Sequence, residues 1–82
     1  MTRNSYIADL RRRERELQQE VRGRTFVLRL QQAYPTGRTL ASIAEEEGWT
    51  PGQARGAVEA GRRWKDENIT YAPESRTFYY VP

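Results

Sequence analysis

The stretch from Thr39 to Trp64, TLASIAEEEGWTPGQARGAVEAGRRW, constrains the fold more than any other part of the chain. Leu40, Ile43 and Ala44 recur at i, i+3 and i+4, which predicts a helix from about Leu40 to Glu47 with Thr39 as its cap. Gly48 follows the last periodic residue, where a left-handed backbone ends a helix at least steric cost. Trp49 is the apolar plug of the turn. Thr50-Pro51-Gly52-Gln53 then restarts a helix: Thr50 caps, Pro51 suits a first position whose N–H is unneeded, and Gln53 closes a capping box. With so short a turn the two helices must cross steeply, leaving one face of the second free.

Asn68-Ile69-Thr70-Tyr71-Ala72 and Arg76-Thr77-Phe78-Tyr79-Tyr80-Val81 are β-branched and aromatic runs separated by the turn cluster Pro73-Glu74-Ser75. They read as a hairpin. The order helix, two crossed helices, hairpin resembles the winged helix-turn-helix superfamily of DNA-binding domains, over roughly Thr25 to Pro82. The resemblance rests on element order and capping chemistry. It implies a mainly α fold with a small C-terminal β-hairpin: a winged helix-turn-helix in residues 25–82, preceded by an N-terminal helix in residues 1–24.

Composition narrows the function classes. The 82 residues make one domain near the lower size limit for a core without a staple. With no cysteine and no histidine there is no disulfide framework, no thiolate site and no common zinc ligand or general base, so an enzyme is not expected and no cofactor is implied. No apolar run approaches the ~20 residues that span a bilayer, and the N-terminus lacks the apolar region of a secretory signal, so an intracellular, cytoplasmic protein is the expectation. Net charge is +3, which modestly favours a polyanion. Its distribution matters more. Glu45, Glu46 and Glu47 crowd the first crossed helix, whereas Arg55, Arg62, Arg63 and Lys65 oppose Glu59 alone in the second.

Upstream, Ser5 to about Arg22 reads as a first helix, with Ser5 as cap and Gly23 as its stop. Tyr6, Leu10, Leu17 and Val21 form a narrow apolar stripe, interrupted by Arg13 and Glu14. It either packs on the domain or pairs with its copy in a homodimer. Thr25 to Tyr34 reads as the core helix, through Phe26, Val27, Leu30 and Tyr34, before the turn Pro35-Thr36-Gly37-Arg38.

Candidate contacts cluster on the second crossed helix. Ala54, Ala57, Val58 and Gly61 face inward; Thr50, Gly52, Gln53, Arg55, Gly56, Glu59, Arg62 and Arg63 face outward. Bases are read near the N-terminal end of a recognition helix, where Gln53 suits adenine and Arg55 or Arg62 suits guanine. Gly56 and Gly61 each cost about 1 kcal/mol in a helix interior. Close packing would account for Gly61 and close approach to a ligand for Gly56, the alternative being that packing merely tolerates both. Arg76 beside the hairpin turn, with Thr36 and Arg38 before the motif, adds expected phosphate contacts. Glu45, Glu46 and Glu47 diverge by about 100° per residue and cannot converge on a metal; they read as an exposed acidic patch turned away from DNA. Both tryptophans read as core.

These readings converge on sequence-specific binding of double-stranded DNA by a small transcriptional regulator, nucleoid-associated when bound. Its size suits a phage-encoded or mobile-element protein. The rival is a winged-helix module that grips a protein partner through the N-terminal helix or the aromatic hairpin. In its favour, residues 38–67 carry five basic against six acidic side chains.

Overall fold

The computed structural model describes residues 3–82, with side chains from Ser5 onward. In chain order the elements are α1 (Arg3–Ala33), β1 (Arg38–Thr39), α2 (Leu40–Glu47), α3 (Pro51–Lys65), a 3-10 turn (Asp66–Asn68), β2 (Ile69–Ala72) and β3 (Thr77–Tyr80). The chain is mostly helical, with a small antiparallel sheet of order β1-β3-β2. No helix among the described residues is long and apolar enough to cross a membrane.

The two crossed helices form where their caps dictate. Thr39 Oγ1 accepts the Ser42 N–H at the start of α2, and Gly48 ends that helix at φ 73°. Thr50 and Gln53 close a reciprocal capping box at the start of α3, with Pro51 at the first helical position. Both helices hold the predicted bounds to within about a residue.

Upstream the structure departs from the sequence reading. The helices expected on either side of Gly23 are one continuous helix, and the boundary expected at residue 24 falls inside it. Ser5 is an interior residue of α1 rather than its cap. Gly23 is buried and serves as a crossing point: a Cβ there would lie 2.6 Å from Ala60 Cβ and 2.7 Å from the Gly61 backbone nitrogen. A missing side chain reads as a helix stop in sequence, but here it lets α3 approach α1. Gly61 matches it from the other side, 3.2 Å from the Gly23 carbonyl oxygen at its own Cβ position.

The expected two-stranded hairpin is also only part of the sheet. Arg38 and Thr39 leave the turn as a short strand and pair with β3, Arg38 opposite Phe78 and Thr39 opposite Thr77. β2 pairs with β3 from Ile69–Tyr80 to Ala72–Thr77. The core lies where α1, α2, α3 and the sheet meet: Phe26, Val27, Leu30, Ile43, Ala57, Ile69 and Phe78. Phe26 and Phe78 meet edge to face, their centroids 5.1 Å apart and their planes at 85°. Trp49 packs against this core, but Trp64 does not join it. Trp64 is 47% exposed and lies between two cations, Arg24 and Lys65, each 5.2 Å from its ring. At the edge of an α1–α3 contact built on small residues, an indole has no cavity to enter.

Candidate functional site

α3 has a packed side and an open side. Ala54, Ala57, Ala60 and Gly61 are buried against α1 and the core, because only small side chains allow so close a crossing. The other side carries Gly52, Arg55, Glu59 and Arg63, all exposed. Nothing would lie within 4 Å of a Cβ at Gly52, so the start of α3 is open to solvent.

The structure brings Arg55 and Arg76 to one groove. This open concavity of about 610 Å³ runs between α2, the first turn of α3 and the hairpin. Its apolar wall includes Leu40, Ala44, Trp49 and Ala54, with Tyr71 and Phe78 on the hairpin side. Tyr71 lies over Phe78, ring centroids 4.5 Å apart, and is itself 40% exposed. Arg76 reaches this position from a left-handed backbone, φ 54°, the one non-glycine with positive φ among the described residues. Among those residues neither Arg55, Arg63 nor Arg76 takes part in an ion pair, and all three are exposed.

Other predicted contacts sit elsewhere or are already engaged. Gln53 Oε1 accepts the Thr50 N–H at 3.0 Å, and Thr50 Oγ1 accepts the Gln53 N–H at 3.2 Å. While this box holds, Gln53 cannot use both ends of its amide on a base. Gly56 faces α1 rather than an open surface: a Cβ there would lie 2.8 Å from Gln19 Nε2, which donates to the Gly56 carbonyl at 3.4 Å. Arg62 pairs with Asp66 one turn on, at 3.2 Å, with its guanidinium 5.9 Å from the Phe78 ring centroid. Arg63 lies two turns beyond Arg55 and does not line the groove; it borders a separate depression with Glu20, Arg24, Ala60 and Trp64.

Arg38 is the largest revision. Its guanidinium donates to Glu46, and its Nε to Ser42 Oγ at 3.3 Å. Glu46 and Glu47 are also held by Arg29 of α1, the Arg29–Glu47 pair at 2.7 Å. Two members of the expected acidic patch are therefore tied down, and the cluster clamps α1, β1 and α2 together. The hydrogen bond from Arg38 holds the Glu46 carboxyl below the usual glutamate range. The hydrogen bond to Glu47 raises Arg29 above its ordinary value. Among the described residues no group of three or more acidic side chains is arranged to hold a metal ion.

Sequence reasoning misses Tyr71, Trp49 and Leu40 as lining of the groove, and Arg29 as partner to the acidic run. For Tyr71 a signal exists. It alternates with Ile69 on the short strand β2, so burial of Ile69 turns Tyr71 toward the same layer. Arg29 carries no such signal, because its partners lie 17 and 18 residues away across a turn.

No family model, no curated protein and no solved structure matches this chain.

Proposed function

We propose that the chain is a double-stranded DNA-binding protein of the winged helix-turn-helix kind, acting as a small sequence-specific regulator of transcription. The observation that carries this reading is the pairing of Arg55 on the open side of α3 with Arg76 on the hairpin, both unpaired cations on one groove. A helix laid in the major groove would bring Arg55 to base edges near its own N-terminal end, as recognition helices do. The hairpin turn would then follow the flanking backbone, with Arg76 against a phosphate. Element order supports the same reading, as does the internal neutralisation of Glu46 and Glu47, which spares a DNA phosphate their repulsion. Arg55, Arg63 and Arg76 are the contacts this reading keeps foremost. Thr50 and Gly52 remain beside them at the open helix start.

Arg55→Ala tests the assignment. With the fold unchanged by circular dichroism, affinity for a preferred duplex falls by about 1–3 kcal/mol and discrimination at one base position relaxes. Unchanged affinity and preference would remove Arg55 from the interface.

A second reading has a specific observation of its own. The groove is mostly apolar, with Trp49, Tyr71 and Leu40 in its wall, and would equally accept an apolar side chain of a protein partner between its two arginines. Under that reading Arg55→Ala weakens protein binding and leaves DNA untouched.

A further inference from the structure

Burial in α1 begins only at Gln19. From Ser5 to Gln18 every residue is exposed except the partly covered Asp9. Four turns of helix thus project past the body, and an isolated helix of that length is marginal in water. The molecule is correspondingly long, 51 × 24 × 20 Å.

The projecting helix is not uniformly polar. Leu10, Leu17, Val21 and Leu28 are 46%, 62%, 63% and 49% exposed and lie on one stripe. Glu14 and Arg24 fall on the same stripe, with successive members separated by alternating steps of four and three residues, the spacing of a coiled-coil seam. At about 100° per residue this seam lies on the opposite side of α1 from Gly23, Phe26, Val27 and Leu30, which hold the body of the domain. A second helix can reach it unobstructed.

We infer that this seam is covered by the same helix of a second copy, running antiparallel about a two-fold axis at Gln19. In that register Leu10 meets Leu28 of the second copy, Leu17 meets Val21, and Glu14 meets Arg24. Each contact recurs on the other side of the axis. These four apolar residues find apolar partners and the two charges that interrupt the seam find each other, while at its outer end Ile7, the next position of the seam, falls opposite Gln31 of the second copy. A parallel, in-register pair would instead stack Glu14 on Glu14 and Arg24 on Arg24. Among the described residues neither Glu14 nor Arg24 has an ion-pair partner within its own chain. Arg24 is steadied at the edge of the seam by Trp64. The axis at Gln19 also lies close to the middle of α1, so the two helices overlap over nearly their whole length. A depression lined by Glu14, Leu17, Gln18, Val21 and Arg22 lies along this seam, and Val21 of the second copy is at the right level to enter it.

The test uses the full chain, which has no native cysteine. Leu10→Cys and Leu28→Cys chains are mixed and mildly oxidised, while sedimentation follows the unmodified protein. The expected result is a dimer, a mixed crosslink joining one variant to the other, and little crosslinking of either variant alone. Glu14→Arg should weaken the dimer about tenfold or more by setting like charges together, and adding Arg24→Glu should restore it. A monomer at every concentration would overturn the pairing. So would ready crosslinking of Leu10→Cys to itself, or a charge swap that fails to restore the dimer.

Discussion

Arg76 pits a local cost against a functional position. A side chain with a Cβ pays about 1–2 kcal/mol in the left-handed region, and glycine is the residue that escapes it. An arginine standing at φ 54° in a hairpin turn therefore owes its place to something other than the turn. The proposed reason is its cation, set beside the groove it shares with Arg55. Arg76→Gly should accordingly move two measurements in opposite directions: thermal unfolding shows a protein up to about 1 kcal/mol more stable, and duplex titration shows weaker binding. A variant that loses stability, or that binds DNA unchanged, would sever the residue from the role proposed for it. Arg38 shows the reverse. It looks like a free cation in sequence, yet Glu46 and Ser42 occupy its donors, and its work is to hold β1 against α2.

At the scale of elements, the decisive contact is the crossing of α1 and α3. In a helix the Gly23→Ala change alone would gain about 1 kcal/mol, whereas forcing a methyl against the Gly61 backbone costs about 1–3 kcal/mol. The added Cβ would lie 2.7 Å from that nitrogen, and backbone cannot swing aside, so overpacking wins. Chemical denaturation should find Gly23→Ala destabilised and Gly52→Ala, whose Cβ would meet nothing within 4 Å, unharmed. Equal effects at both positions would contradict the crossing. This glycine also marks the limit of what the sequence makes legible. Caps are local chemistry, so Thr39, Gly48 and the Thr50–Gln53 box locate α2 and α3 from the sequence alone. The hairpin is equally legible from its β-branched runs and turn. Gly23 misleads because a helix stop and a close crossing ask for the same residue, and only the partner at Ala60 tells them apart. β1 escapes a sequence reading because a two-residue strand has no periodicity; β3 creates it. Within the candidate site, Arg55 is legible from helix phase, but that it shares a groove with Arg76 depends on how the hairpin folds back on α2.

The whole molecule is more extended than its length requires. A compact domain of this size has a radius of gyration of about 12 Å, against 14.9 Å here, and the excess is the projecting half of α1. One end of the chain therefore carries a small helical and sheet body with the arginine-flanked groove, and the other carries the seam. A two-fold pair through the seam would present two copies of α3, which suits a target with two half-sites. The central claim, that this body reads duplex DNA, is tested most directly by titrating the full chain with a random duplex library across a salt series and sequencing what is enriched. The predicted result is a steep fall of affinity with rising salt, together with an enriched motif. Absence of binding even at low salt would contradict the claim and leave the apolar groove to a protein partner.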